Sequence, residues 1–280
     1  NTVIGNSDTL RNLSAASCYQ FYIREICGRG DTSVWIGPLS FNTNIQAPRG
    51  VNCTVGAPSV ILTDEFDAVG GWTGNVGTGT TAGQWNFGHS GGTGSANTGP
   101  SGGAHSGSNY VYMEGSGGTP PATMVSPAID LTGASGEAEL SFWLHMTGTE
   151  IGNLTLGVSN TTAAGPFTNV FSWNGQLQPT MASPFQNVGV DLTSYIGQTI
   201  YLQFQYTGWV CCASDVAIDL LEVSTCVSCP LPDSLTSTNV GLSTADLDWR
   251  ENGAATQWQV SYGPAPTAAG AGTLLIVNTL

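Results

Sequence analysis

Residues 199–207 read TIYLQFQYT, and residues 140–146 read LSFWLHM. In the first stretch Ile200, Leu202, Phe204 and Tyr206 alternate with Tyr201, Gln203, Gln205 and Thr207. In the second, Leu140, Phe142 and Leu144 alternate with Ser141, Trp143 and His145. A period of two sends each set to one side of a pleated strand, so both stretches predict strands with one face in a core. The rest of the chain fits that pattern. Among 280 residues, 40% are hydrophobic, 38 are Gly and only 9% are charged, where roughly a quarter is usual for charged residues. Short apolar runs between Gly-rich turns predict an all-β protein. The length suits one large domain or two ordinary ones and is ample for a core.

The formal net charge is −14, with five Arg (Arg11, Arg24, Arg29, Arg49, Arg250) and no Lys. Such a surface repels phosphate backbones and anionic lipid, so no nucleic acid and no membrane-surface partner is expected; it suits divalent cations. No apolar run reaches the ~18 residues of a spanning helix, so no membrane insertion is expected. Without Lys there are no Lys–Asn isopeptide cross-links. There are seven Cys. Cys226 and Cys229 form a CxxC, but in the Pro-rich stretch TCVSCPLPDSL, with no helix to activate a thiolate and no second CxxC or spaced His for zinc. Disulfides made in an oxidising compartment fit better, which makes the expected location extracellular or cell-surface.

Three segments separate along the chain. Residues 51–226 carry DEFDAVGGW (Asp64 to Trp72), SPAIDL (Ser126 to Leu131), LSFWLHMTGTEIGNL (Leu140 to Leu154), VDLTSYIG (Val190 to Gly197) and SDVAIDLLEV (Ser214 to Val223). In that order they resemble the MAM domain, a jelly-roll β-sandwich of extracellular receptors, adhesins and secreted bacterial proteins. The Cys211–Cys212 pair departs from the pattern. Residues 1–46 resemble the last two strands of a fibronectin type III domain, with Leu13 and Tyr19 at its corner, CGRGDTSVWIGP between the strands and SFNT at the close. Residues 229–280 resemble the opening strands of the same domain type, with Pro230 and Pro232, then ADLDW with Trp249, then WQVSYG. The resemblance implies an all-β architecture: a MAM-like jelly-roll β-sandwich plus a split fibronectin type III, Ig-like sandwich. The two flanks together amount to about one sandwich of ~100 residues. We therefore expect one period of a tandem array in which neighbouring copies complete each other's sandwich. Strand donation between separate chains and an arbitrary cut are the alternatives.

The first and last strands of a jelly roll can lie side by side, which would gather Asp64, Glu65 and Asp67 with Asp215 and Asp219. MAM relatives hold a cation near such positions, and hard oxygen ligands favour Ca²⁺ or Na⁺. The same carboxylates also suit turn capping. Cys53 and Cys226 bracket the MAM-like segment and could close it, and Cys27 could pair with Cys229 across a boundary between copies. Cys18 and Cys27 mark the ends of one predicted strand, ~30 Å apart, too far to bond. Cys18, Cys211 and Cys212 are left over.

His89, His105 and His145 stand in separate segments without HExxH or a Ser/His/Asp order, and the clustered acids lack the isolated carboxyl of a glycosidase, so no catalysis is expected. The Gly/Ser tract from Gly88 to Gly107 reads as a mobile loop or solvent-facing turn. Arg29-Gly30-Asp31 spells an integrin-binding tripeptide on a turn, but so short a motif also arises by chance. Thr9 in DTL and Ser234 in DSL resemble the short O-glycosylation signal of Bacteroidota; the sequons at Asn12, Asn52, Asn153 and Asn160 would fit a eukaryotic secreted protein instead. Trp72, Trp85, Trp143, Trp173 and Trp209 are candidates to stack on sugars, with core packing as the alternative. These features add up to a structural, adhesive repeat unit of an extracellular fibre or giant adhesin, partnered by its own copies and by surface glycans or polysaccharide. An accessory carbohydrate-binding module of a secreted hydrolase is the alternative.

Overall fold

The alternation sorts side chains as the sequence predicts. Leu140, Phe142, Leu144, Ile200, Leu202, Phe204 and Tyr206 all enter one core, while Trp143 and His145 turn the other way. A computed structural model describes residues 9–15, 17–28, 30–54, 56–117, 121–208, 213–227, 232–251, 255–268 and 270–278. The N-terminal strands are β1 (Cys18–Ile23), β2 (Ile26–Gly28), β3 (Asp31–Thr32) and β4 (Ile36–Asn42). The central strands begin with β5 (Ala57–Asp64), β6 (Thr73–Gly74), β7 (Val76–Thr78), β8 (Trp85–His89), β9 (Tyr110–Met113), β10 (Ala122–Val125) and β11 (Ile129–Asp130). They continue with β12 (Ala134–Met146), β13 (Asn153–Ser159), β14 (Thr168–Asn174), β15 (Gln186–Asp191), β16 (Thr199–Thr207) and β17 (Val216–Val227). The last are β18 (Asp233–Thr238), β19 (Asp246–Arg250), β20 (Gln257–Tyr262) and β21 (Thr273–Asn278). Among the described residues no helix is long and apolar enough to cross a membrane.

The central strands form two sheets face to face. One has the order β15-β12-β17-β9-β8-β7, with β5 also on β17; the other has β14-β13-β16-β10-β6, with β11 on β16. Phe142 knits them together, meeting Phe204 at 5.2 Å and Phe171 at 5.6 Å between ring centroids, both edge-on, an arrangement that the ring quadrupoles favour. Each such buried ring contributes on the order of 2–3 kcal/mol of burial free energy. Two identical tripeptides end strands by one device. Asp130 accepts the Thr132 N–H at 2.8 Å and Asp191 accepts the Thr193 N–H at 2.8 Å. The bonds to Thr hold both carboxyls below the usual range, and each turn drops its middle residue, Leu131 or Leu192, fully into the core.

Cys53 and Cys226 are disulfide-bonded, with Cα atoms 5.5 Å apart, which ties the chain just before β5 to the end of β17. Before that bond the chain runs along the sandwich. The Asn42 side chain donates to Asn174 O at 2.6 Å, Gly189 N–H donates to Gln46 O at 2.7 Å, and the Arg49 and Gly50 N–H groups converge on the Glu139 carboxylate at 2.9 and 2.8 Å.

The flanks build only small sheets. In the N-terminal flank β1 pairs with β4, and β2 with β3; in the C-terminal flank β18 pairs with β19, and β20 with β21. The single strand expected across residues 19–26 breaks at Arg24 and Glu25, because Glu25 exchanges hydrogen bonds with Ser33: its N–H goes to Ser33 Oγ and its carbonyl takes the Ser33 N–H. Cys18 and Cys27 carry free thiols, and Cys229, Cys211 and Cys212 lie outside the described residues. The Tyr19 hydroxyl accepts the Ser14 N–H at 2.9 Å, closing a corner below β1. Large apolar side chains on these sheets stay in solvent: Ile36 is 69% exposed and Leu39 61%, Leu235 74% and Ile276 50%.

Candidate functional site

Strand β17 changes partners along one edge. It pairs with β9 over Val216–Ile218 and with β5 from Leu221 onward. Asp219 and Leu220 fall in the gap, with Leu220 at φ 38°, and there the Asp219 carboxylate turns to the neighbouring loop. Its Oδ2 accepts the N–H groups of His105 (2.6 Å) and Ser106 (2.9 Å), and its Oδ1 accepts the Leu220 N–H at 2.7 Å. Glu65, just past β5, arrives at the same place. Its Oε1 accepts the Ser106 hydroxyl at 3.2 Å, while its buried Oε2 has no partner. Burial pushes the Asp219 carboxyl up, the Glu65 charge adds to that, and the three backbone N–H groups oppose it.

The five candidate carboxylates are thus only partly gathered. Glu65 and Asp219 meet. Asp64 is occupied in its own turn, accepting the Phe66 N–H at 2.8 Å and the Trp72 indole N–H at 2.7 Å. Asp67 accepts the Asn109 side-chain amide at 2.7 Å. Asp215 sits four residues before Asp219, nearer the end of β9. Among the described residues no group of three or more His, Cys, Asp or Glu is placed to hold a metal ion.

Asp215 has a neighbour that the sequence did not disclose. Met113 pairs with Val216 and Tyr112 with Ala217, so the next step of the same register sets Glu114 opposite Asp215. Both residues are buried. Asp215 Oδ1 accepts the Gly115 N–H at 3.2 Å, and Glu114 Oε1 accepts the Ser116 N–H at 2.9 Å. Burial first, and the Glu114 charge second, push Asp215 up to about 6.

The outer face of this sheet holds a second, aromatic layer of Tyr110, Tyr112, Phe185 and Ala217, with Trp143 packed against it. His105 stacks on Trp143 with ring centroids 3.5 Å apart, and His89 and His145 pack on Tyr112 and Phe185. Burial lowers His145 to about 4. The three His, from separate segments of the sequence, therefore share one face. The Gly88–Gly107 tract covers it, and though much of the tract faces solvent as expected, part of it is anchored. Thr98 and Thr93 are buried, Thr98 Oγ1 donates to Thr147 O at 2.8 Å, and the Tyr110 hydroxyl donates to Gly91 O at 2.7 Å. Two of the sugar-stacking candidates are corrected. Trp72 and Trp85 are buried in the main core, their indole N–H groups consumed by Asp64 and by Ala122 O. Trp143 and Trp173 are half-buried; Trp209, and Arg29 of the tripeptide, lie outside the described residues.

No protein-family model and no curated protein matches the chain. Among solved structures it is similar to the K3 cleaved adhesin domain of Lys-gingipain from Porphyromonas gingivalis, at 14% identity over 59% of this chain and 98% of that one, with a TM-score of 0.37. The K2 cleaved adhesin domain of Lys-gingipain aligns at 20% identity over 44% of this chain and 74% of that one, with a TM-score of 0.30. A carbohydrate-binding module that recognises mannan aligns at 10% identity over 60% and 98%, with a TM-score of 0.33. With TM-scores this low, none of these likenesses bears on function.

Proposed function

We propose that the chain is a structural and adhesive unit of an extracellular fibre or giant cell-surface adhesin. In this reading a MAM-like domain at residues 51–226 lies between the closing half (1–46) and the opening half (229–280) of fibronectin type III sandwiches. Neighbouring copies complete those halves, and no catalytic step is assigned. The observation that carries the reading is the exposed apolar side chains of the flanking sheets. Phe21, Ile36 and Leu39 on one flank, and Leu247, Leu275 and Ile276 on the other, stay in solvent. Two-stranded sheets are marginal in water alone and need a covering layer. The disulfide supports an oxidising location. The test is hydrogen exchange on two copies joined in tandem. Residues 233–278 of the first copy and 18–42 of the second should become strongly protected relative to a single copy. Unchanged exchange in both segments would reject the reading.

Ca²⁺ on Glu65 and Asp219 belongs to the same proposal. What supports it is the buried, partnerless Glu65 Oε2 beside a second carboxylate, in a chain without Lys. A melting temperature unmoved by chelator and by added Ca²⁺, in wild type and in Glu65→Gln alike, would reject it. Thr9 and Ser234, both exposed, are the proposed O-glycosylation positions, checked by excess mass on the peptides that carry them.

One observation favours the carbohydrate-binding alternative. The outward face of the other sheet lines up Thr123, Gln205 and Thr155 across three strands, with Gln203 and Tyr201 alongside. Such uncharged amides and hydroxyls suit sugar hydroxyls. Polysaccharide affinity lost in Gln203→Ala/Gln205→Ala would move the assignment there.

A further inference from the structure

From the facing of Glu114 and Asp215 across β9 and β17, we infer that the two carboxyls share one proton, and that this protonated pair latches residues 93–100 over the outer aromatic face. Residues directly opposite in an antiparallel pair have Cβ atoms about 5 Å apart, and two like charges there destabilise the sheet. Here both side chains are also buried, where repulsion is less screened than in water.

The donor ledger around Asp215 shows what is missing. Oδ1 receives the Gly115 N–H, but Oδ2 is buried without a hydrogen bond. The hydroxyl of Thr93 lies between the carboxyl and Thr98 O, 3.3 Å from the latter, with one proton for the two acceptors. A proton on the Asp215 carboxyl supplies a donor between the two side chains. Among the described residues no cation stands in for it: Arg11 is exposed. Arg49 lies by Asp191 and Glu139, seven residues back along β12 from Met146, the residue that pairs with Val216. Arg24 lies over Trp35 and Arg250 on Asp233. The titratable groups facing the pair are Tyr110 and Tyr112 from β9 and Tyr206 from β16, with His145 of β12 on the same face, opposite Ala217; Glu150, whose N–H donates to Ala213 O, is exposed.

The pair is wired to the loop. The Asp215 N–H donates to Thr98 Oγ1 at 2.7 Å, Thr98 Oγ1 donates to Thr147 O, and the Gly99 N–H donates to Thr147 O at 3.0 Å. When the second carboxyl loses its proton, repulsion drives Asp215 from Glu114 and with it the residue that anchors Thr98. The latch is therefore shut in acid and loosened towards neutral pH. This inference stands apart from the assembly and Ca²⁺ proposals.

The sign follows from linkage. Asp215 binds its proton more tightly folded, at about 6, than an unfolded Asp at ~3.9, so its contribution to stability is full in acid and is lost as pH rises to 6. His145 titrates the opposite way over a similar window, so the effect is read as a difference between proteins. The experiment measures urea unfolding from pH 4 to 7.5, in chelator and at constant ionic strength, for the whole chain and for Glu114→Gln, whose amide supplies a permanent donor. The ratio of their folding constants should swing in favour of the variant as pH rises, by less than the about hundred-fold of the whole shift, because burial of Asp215 persists in the variant. Exchange at the Thr98 and Gly99 amides, corrected for intrinsic rates, should accelerate towards neutral pH in wild type only. Asp215→Asn provides the second variant should Glu114→Gln misfold. Parallel profiles for wild type and both variants would overturn the inference. So would a wild-type loss at pH 7.5 that Ca²⁺ or Na⁺ reverses, since a metal ion and not a proton would then hold the pair.

Discussion

Opening the Cys53–Cys226 bond is the most direct test of how the sandwich is held. The bond joins positions 173 residues apart, so it closes nearly the whole central unit into one ring. Removing it restores loop freedom to the unfolded chain, an entropy gain of about 2.1 + 1.5R ln n cal/mol/K, which gives about 5 kcal/mol at 25 °C. Unfolding entropy near 2.1 cal/mol/K per residue over residues 51–227 comes to about 0.37 kcal/mol/K, so the melting temperature should fall by about 13 °C. The perturbation is Cys53→Ala with Cys226→Ala; Ala suits position 226, which is fully buried. The assay is urea unfolding followed by tryptophan fluorescence, with calorimetry for the melting temperature. Reduced wild type provides the matched control. The folded ends stay together without the bond, because β5 pairs with β17 as far as Ala57 and Val227. A loss below about 1 kcal/mol, with circular dichroism unchanged, would refute the reasoning, because ring opening would then release no usable chain entropy.

Asp64→Ala strands the Phe66 N–H and the buried Trp72 indole N–H, and should cost about 2–4 kcal/mol in urea unfolding. A Cβ at Gly189 would meet the Pro48 backbone at 2.6 Å, so Gly189→Ala should cost about 1–3 kcal/mol and speed amide exchange at Arg49 and Gly50. His145 is held near 4 when folded, below its unfolded value of ~6.5, so its contribution is present above 6.5 and lost as pH falls towards 4. His145→Phe should remove that trend, worth about 3 kcal/mol, and leave stability that falls as pH rises through 6.

Much of the fold was legible because it depends on local period and local turn chemistry. The two-residue alternation at 140–146 and 199–207 needs no partner strand to be read. What stayed hidden depends on pairs far apart in sequence. Glu114 is unremarkable until the register of β9 on β17 is known. The Gly88–Gly107 tract advertises backbone freedom, yet Thr98 is pinned by Thr147 and Asp215. The acidic cluster was half legible for the same reason. Adjacent first and last strands bring Glu65 to Asp219, while short-range bonds draw Asp64 and Asp67 into their own turns. Aromatic content could not separate a stacking Trp from a core Trp; Trp72 and Trp85 are settled by what lies on both sides of the sheet.

The two sulfurs also decide how the molecule answers a pull along its backbone. The strand arriving at Cys53 and the strand departing at Cys226 are held 5.5 Å apart, Cα to Cα. Tension therefore passes through a covalent shortcut, and everything between hangs from it like a pendant, bearing none of the load. Roughly 590 Å of extensible contour, at about 3.4 Å per residue, is withheld, so a stretched assembly would yield first in its small flanking sheets and would recoil with the large sandwich intact.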